Sequence, residues 1–287
     1  MATATWDGTA RLPGGALRQL RNRANLFKCR ASIGNLAMHD TKVALITGAS
    51  RGIGAATARL AARQGWAVAV NYARDAQAAQ AVVAAIEAGG GRALAVQADV
   101  ADEDQVLAMF RTVDAQLGRL SALVNNAGVV DVPSPVEAMG LARLKRMFDI
   151  NVIGSFLCAR EAVLRMGTHR GGAGGSIVNV SSAAARLGAA GQYVDYAAAK
   201  GAIDTMTLGL AREVAAHGIR VNAVRPGLID TEIHASGGLP DRVRELSHQV
   251  PMQRGGTAHE VAEAIAWLMS PAASYTTATL MDVSGGR

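Results

Sequence analysis

Val43-Ala44-Leu45-Ile46-Thr47-Gly48-Ala49-Ser50-Arg51-Gly52-Ile53-Gly54 runs without a break into Ala55-Ala56-Thr57-Ala58-Arg59-Leu60-Ala61. Four apolar residues, a glycine-rich turn and a helix-forming run follow one another, the order strand, turn, helix. Free backbone N–H groups and the positive end of the helix then face the space beyond the strand, which is how a phosphate is received. The spacing is G-x-x-x-G-x-G, wider than G-x-G-x-x-G, and it still lets the backbone approach a pyrophosphate. A merely tight strand-helix connection is the competing explanation, and it leaves the number of glycines without a reason.

Outward from this unit the pattern repeats. Strand-like runs at Val68 to Asn71, Ala93 to Gln97, Ala122 to Asn125, Ser176 to Val180, Arg220 to Val224 and Leu280 to Val283 alternate with helix-like runs such as the alanine-rich Ala76 to Ala88. Such alternation predicts an α/β protein, a single Rossmann-type, doubly wound parallel sheet with helices on both faces and right-handed crossovers. The chain has 287 residues, and this one unit threads nearly all of it from Met38 to Arg287. No internal repeat is visible, and no apolar run reaches the roughly eighteen residues of a membrane span.

A net charge of +6 raises the question of nucleic acid until the charge is located. Residues 1–37 hold Arg11, Arg18, Arg21, Arg23, Lys28 and Arg30 against Asp7 alone, which leaves 23 basic and 22 acidic residues from Met38 onward. A nearly neutral body has no basic footprint, so neither nucleic acid nor a membrane surface is expected as partner. The leader itself reads as a disordered basic tail or a consequence of start-site choice, since Met38 lies just before the first strand. Its arginine-rich, acid-poor composition also fits an organelle transit segment, and a binding arm is a third reading. Otherwise a reducing cytoplasm is the expected location. Cys29 and Cys158 form no Cys-x-x-Cys pair, and His39, His169, His217, His234, His248 and His259 show no ligand spacing, so no metal is expected.

The chemistry is carried by Tyr196-Ala197-Ala198-Ala199-Lys200, with Ser182 fourteen residues before the tyrosine and behind Ile177-Val178-Asn179-Val180. Residues four apart share a helix face, so the ammonium of Lys200 can favour ionisation of the Tyr196 phenol. A free tyrosine, with a pKa of about 10, is nearly useless at neutral pH, and lowering it by roughly three units takes about 4 kcal/mol. Alone, Tyr-x-x-x-Lys is common on surface helices, a serine after a strand is usually a cap, and a helical asparagine is usually a satisfied core amide. Their company gives them weight.

Together these features resemble the short-chain dehydrogenase/reductase family from about Lys42 to Arg287, with members such as 3-oxoacyl-carrier-protein reductases and glucose 1-dehydrogenases. The resemblance implies a nicotinamide dinucleotide on the turn at Gly48, Ser50, Arg51, Gly52, Ile53 and Gly54, and an adenine contact at Asp99-Val100. It implies a cleft lined by Asn126-Ala127-Gly128 and a Pro226-Gly227 segment with Ile229 and Thr231 at the carboxamide. Asn151, Ser182, Tyr196 and Lys200 match the catalytic tetrad: Tyr196 the acid, Lys200 also the ribose holder, Ser182 the carbonyl donor, Asn151 the holder of a water.

The end of the second strand speaks for NADP(H) over NAD(H). Tyr72 stands where an NAD enzyme usually carries an acid, Arg74 follows, and Arg51 points to the same side in relatives. Asp75 is the objection, unless it caps the next helix.

Two departures stand out. The serine lies one residue further from the tyrosine than is usual, which leaves Ser181 as the fallback, and Tyr275 to Thr279 lacks a glycine near Ala278. Tyr193 could line the substrate pocket or simply pack, and Asp195 reads as a solvated or capping residue. The segment 232–253 reads as a substrate loop ahead of the capping box Thr257-Ala258-His259-Glu260.

The expected activity is reduction of a small ketone, a 3-oxoacyl thioester or similar. A sugar or small-alcohol dehydrogenase is the alternative and a non-catalytic nucleotide binder the remote one. An acidic acyl-carrier protein would need a basic patch at the site mouth, for which Arg165, His169, Arg170 and Arg186 are the candidates. The carrier reading is not favoured, because His217 replaces an arginine common in such reductases. The resemblance also implies a homotetramer, pairing helices around Leu141 to Arg165 and Tyr196 to Ala216, with Ala202, Met206, Leu210 and Val214 as a possible seam.

Overall fold

The computed structural model describes residues 42–287, and the leader reading lies outside the described residues. Seven strands form one parallel sheet: β1 (Val43–Ile46), β2 (Ala67–Tyr72), β3 (Arg92–Gln97), β4 (Leu120–Asn125), β5 (Gly175–Val180), β6 (Ile219–Pro226) and, last in the chain, β9 (Leu280–Val283). Their order is β3-β2-β1-β4-β5-β6-β9, every pair parallel. A short separate pair, β7 (Ile229–Asp230) with β8 (Gly256–Thr257), lies between β6 and β9 in sequence.

The central strands are apolar on both faces, as a sheet covered on both sides requires. In β1, Val43 and Leu45 pack on one side with α3 (Glu103–Gln116), α5 (Gly154–Met166) and α7 (Val194–Val214), introduced here with their neighbours in chain order: α1 (Gly52–Arg63), α2 (Ala76–Ala88), α4 (Leu141–Phe148) and the four-residue α6 (Ala184–Leu187). Ala44 and Ile46 face the other way, toward α1, α2 and the final helix α10 (Ala258–Met269). The doubly wound sheet read from the alternation is therefore the fold, with boundaries within two residues of those expected. Small side chains set the spacing: Ala55, Ala58 and Ala61 of α1 and Ala79 of α2 are buried against the sheet.

Three local details differ from expectation. The helical stretch from Leu141 to Arg165 is interrupted by a π turn at Asp149–Ile153, which carries Asn151. Segment 232–253 is not bare loop; it holds two short helices, α8 (Ile233–Ser236) and α9 (Arg242–Leu246). The seam on α7 is largely internal, because Met206 and Val214 are buried in the chain's own core beneath the sheet. Exposed apolar residues gather instead at Phe148, Ile153, Phe156 and Leu164 along α4, the π turn and α5. The capping box at the start of α10 is present, Thr257 and Glu260 bonding each other's backbone N–H.

The strand order reverses between β1 and β4. The connections leaving these strands diverge, one into α1 and the other toward α4, and a crevice opens beyond their carboxyl ends.

Candidate active site

The crevice is a cleft of about 990 Å³ lined by most of the residues of the sequence reading, with Asn151 and Gly54 buried behind its wall. Its floor is the glycine turn. Gly48 and Gly52 have φ of 60° and 54°, a left-handed backbone that favours glycine. A side chain on Gly48 would meet the Ala127 Cα at 2.9 Å, and one on Gly54 the Asn126 Nδ2 at 2.5 Å. The turn is thus pressed against the end of β4.

Polar side chains beneath hold it there. Thr47 Oγ1 accepts from the N–H groups of Asn126 (3.0 Å) and Ala127 (2.9 Å), while Asn126 Nδ2 donates to the carbonyls of Thr47 (2.8 Å) and Gly48 (3.0 Å). Buried Asn71 accepts from Gly48 N–H at 3.1 Å and donates to the Val96 and Ala98 carbonyls, tying the turn to β2 and β3. Asn71 escaped the sequence reading; a polar residue closing an otherwise apolar strand was the available signal.

Does this frame fit a dinucleotide? The first N–H groups of α1 have no intrahelical acceptor and open onto the cleft, with Ser50, Arg51, Gly52 and Ile53 along its wall. Asp99 and Val100 stand on one side, and Pro226, Gly227, Ile229 and Thr231 on the other. A side chain on Gly227 would collide with the Ser284 Cα at 2.7 Å, so this segment too is packed at backbone distance. The donor set and the glycine cradle fit a pyrophosphate-bearing cofactor.

At one end of the cleft Tyr72 closes β2 and Arg74 is exposed beside it. Asp75 caps α2, its Oδ1 accepting from Ala78 N–H at 2.9 Å. Arg51 departs from expectation: it donates to Ser236 Oγ of α8 at 3.2 Å rather than joining Arg74.

The residues expected to react lie at the other end. Ser182 Oγ accepts from Ala184 N–H at 3.1 Å and shares the cleft wall with Tyr196. Ser181 is buried and turned away, donating to the Lys200 carbonyl at 3.2 Å. Lys200 Nζ is buried, 2.7 Å from the Val180 carbonyl oxygen and 5.6 Å from the centre of the Tyr196 ring.

Asn151 is fully buried. Its Oδ1 accepts from Val129 N–H at 3.2 Å, and its Nδ2 donates to the carbonyls of Val129 (3.1 Å) and Met147 (3.0 Å). A side chain on Gly128 would sit 2.7 Å from Asn151 Oδ1 and 3.5 Å from Lys200 Nζ, so the backbone at Gly128 runs between the two.

The expected lowering of Tyr196 by Lys200 is not found. Burial pushes the phenol above its ordinary value, and the neighbouring Ser182 hydroxyl opposes this. The same burial pushes Lys200 down to about 8, against the pull of Asp204. Desolvation here outweighs an ammonium that is directed at a carbonyl rather than at the phenol.

Asp195 also corrects the sequence reading. Its side chain is fully buried and takes Arg143 Nε at 2.8 Å and a second guanidinium nitrogen at 3.3 Å, while Arg143 Nη1 donates to the Val132 carbonyl at 2.8 Å. No sequence signal links residues so far apart. The basic candidates for a carrier patch separate as well. Arg165, His169 and Arg170 precede the amino end of β5, whereas the cleft opens at its carboxyl end, on the order of 20 Å away for a six-residue strand. Arg165 is moreover paired with Asp114 and Glu161. Arg186 alone of the four is near the cleft, paired with Asp282.

Residues 48–287 match the family model described as enoyl-(acyl carrier protein) reductase. An uncharacterized oxidoreductase of Escherichia coli K12, YgfF, is 57% identical over 245 residues, 85% of this chain and 99% of that protein. The cis-4-hydroxycyclohexanecarboxylate dehydrogenase of Sinomonas cyclohexanicum is 43% identical, covering 85% and 96%. The 3-oxoacyl-[acyl-carrier-protein] reductase FabG of Staphylococcus aureus is 40% identical, covering 87% and 99%. Among solved structures, a short-chain type dehydrogenase/reductase from Mycobacterium marinum superimposes with a TM-score of 0.80 at 37% identity, over 85% of this chain and 94% of that one. A blue fluorescent protein from a metagenomic library, in complex with NADPH, gives 0.78 at 36%, over 85% and 97%.

Proposed function

The chain belongs to the short-chain dehydrogenase/reductase family and is an oxidoreductase, and from that premise we propose that it reduces a small ketone to a secondary alcohol with NADP(H). One observation carries the reading: Ser182, Tyr196 and Lys200 share a single cleft with the glycine turn. When bound there, the nicotinamide nucleotide supplies the hydride.

Everything else falls to the chain's own side chains. Tyr196 gives its phenolic proton to the substrate oxygen as that oxygen gains charge. Its burial holds the phenol protonated at neutral pH, the state reduction needs. Ser182 donates to the same oxygen and fixes its position, and its outward placement speaks for it over buried Ser181. Lys200 holds the ribose hydroxyls and is the charge nearest the phenol once it turns from Val180. Asn151, one backbone away from Lys200 across Gly128, fixes that region and the water through which the proton is replaced.

For the phosphate on the ribose, Arg74 is the principal contact. Asp75 is engaged by its own helix, so no carboxylate at the end of β2 competes. Arg51 is exposed and bonded only to a neutral hydroxyl, a partner readily exchanged for a phosphate. A homotetramer is supported by the exposed apolar stretch Phe148, Ile153, Phe156 and Leu164 rather than by α7. A carrier-linked substrate loses support, since three of its four basic candidates stand at the wrong end of the sheet.

The deciding experiment is NADPH oxidation against a carbonyl series (acetoacetyl thioesters, diketones, cyclic ketones, aldoses), with the alcohols run in reverse. No turnover with any of them would overturn the reading.

A further inference from the structure

Of the arginines in and near the cleft, Arg51 and Arg74 lie at the end proposed for the ribose phosphate, and most of the others come with acidic partners. Arg143 has Asp195, Arg146 has Asp131 at 3.6 Å, Arg186 has Asp282 at 3.3 Å, and Arg244 has Asp241 at 3.1 Å. Arg242 does not. Among the described residues no carboxylate pairs with it, although Asp241 is its neighbour in sequence. It is half-buried on α9 and lines the cleft.

Its direct side-chain contacts carry no negative charge. One guanidinium nitrogen donates to Gln192 Oε1 at 2.9 Å, and its carbon lies 5.2 Å from the centre of the Tyr193 ring. His234 Nε2 is bonded to the Ile229 carbonyl at 2.9 Å, and its protonation is disfavoured first by burial and also by the arginine's charge, with Asp230 pulling the other way. The other N–H donors of the fork are left for something not part of the protein. A guanidinium removed partly from water gains most from a bidentate, charge-assisted contact with a carboxylate.

The position of this charge fits a substrate. Gln192 and Tyr193 immediately precede α7, and Tyr193 stands three residues before Tyr196, about one helical turn or 5–6 Å between Cβ atoms. The carbonyl-binding pair Ser182 and Tyr196 and the guanidinium of Arg242 therefore address two ends of one small molecule, a ketone a few bonds from an anion.

We propose that Arg242 is a specificity-determining residue that binds a carboxylate on the substrate, so that the enzyme acts on small oxo-acids and the corresponding hydroxy-acids in preference to uncharged ketones. The proposal rests on the reading of Ser182 and Tyr196 as the groups that hold the carbonyl. It also separates the candidate substrates: a 3-oxoacyl thioester carries no anion within a few bonds of its ketone.

The test pairs turnover with binding. With NADPH, 4-oxocyclohexanecarboxylate is expected to be reduced with a kcat/KM at least about tenfold above its methyl ester. Arg242→Gln is expected to lose about 10- to 100-fold on the acid while changing the ester by no more than roughly threefold. Arg244→Gln, whose side chain is exposed and paired with Asp241, serves as the control and leaves both unchanged. In parallel, calorimetry on the protein saturated with NADP+ compares cyclohexanecarboxylate with cyclohexanecarboxamide. Tighter binding of the carboxylate, lost in Arg242→Gln, supports the site even if the ketones tried are poor substrates. Equal binding of the two, or an equal loss of acid and ester turnover in Arg242→Gln, overturns it and leaves Arg242 as a latch on Gln192. A protein that oxidises NADPH with no carbonyl fails the proposed function instead, and the calorimetric arm still decides the anion site.

Discussion

Arg143→Met is expected to be among the most damaging substitutions outside the reacting groups, and its size can be worked from the geometry. The substitution removes both contacts to the Asp195 carboxylate, whose side chain has no exposure, and the bond to the Val132 carbonyl. Breaking a buried pair by deleting one partner costs about 3–5 kcal/mol, because the other charge stays in a poor solvent. Arg143 is itself 12% exposed, so water can reach the vacated space, and the low end of that range, about 3 kcal/mol, is the expectation. For a domain of this size that corresponds to a fall of roughly 6–12 °C in Tm, read by differential scanning calorimetry. The cause is an orphaned charge and not lost packing, so the double variant Arg143→Met with Asp195→Leu should regain most of the loss. Because Asp195 adjoins Tyr196 and Val132 belongs to the loop after β4, kcat should fall in the single variant and partly recover in the double. A Tm within about 2 °C of the wild type, or a double variant worse than either single, would refute the reasoning.

Four further outcomes are expected. Tyr196→Phe should lower kcat by about a hundredfold or more while NADPH binding, followed by fluorescence, stays intact; Lys200→Met should impair both. Burial holds Lys200 near 8 in the folded protein against 10.5 in the unfolded chain, so between these values the unfolded state keeps a proton the folded state has lost, and stability from this group rises with pH across that window. The Tm of Lys200→Met minus that of the wild type should therefore shrink between pH 7.5 and pH 10, and a constant difference would count against the depressed lysine. Arg74→Ala with Tyr72→Asp should reverse the cofactor preference measured as kcat/KM for NADPH against NADH, and a wild type indifferent to the two would remove the assignment. Ala278 has φ of 59°, where a Cβ costs about 1–2 kcal/mol and glycine loses about 0.4–1 kcal/mol through the unfolded chain, so Ala278→Gly should stabilise by about 0.5–1 kcal/mol, seen as a Tm raised by 1–4 °C or so.

What the sequence made legible is what local rules dictate. The glycine turn, the strand runs and the spacing of Tyr196 to Lys200 are each written within a dozen residues, where period, propensity and turn chemistry act. Asp75 could be suspected as a cap because a cap bonds three residues ahead. The missing glycine near Ala278 could be noticed for the same reason, since a left-handed residue is a demand made by its own backbone. Arg143 and Asp195 are 52 positions apart, and nothing local distinguishes a carboxylate at the start of a helix that caps it from one that is buried against a distant guanidinium.

The misreadings share one physical cause. Lys200 beside Tyr196 suggested a lowered phenol because charge-charge attraction was visible in the spacing, whereas burial, which raises the phenol and depresses the lysine, is a property of the folded surroundings. In sequence the α7 stripe is open between a seam and internal packing, because Met206 and Val214 follow helical period, and period shows that a face is apolar but not what covers it. The basic patch failed in the same way: Arg165, His169 and Arg170 are near Ser182 in sequence, but β5 carries the chain from one end of the sheet to the other between them. Charge and chemistry could be read from residues, while the partner of each charge had to be found in three dimensions. That is why the unpaired guanidinium of Arg242, indistinguishable in sequence from Arg244 two positions later, is the residue through which the cleft says most about its substrate.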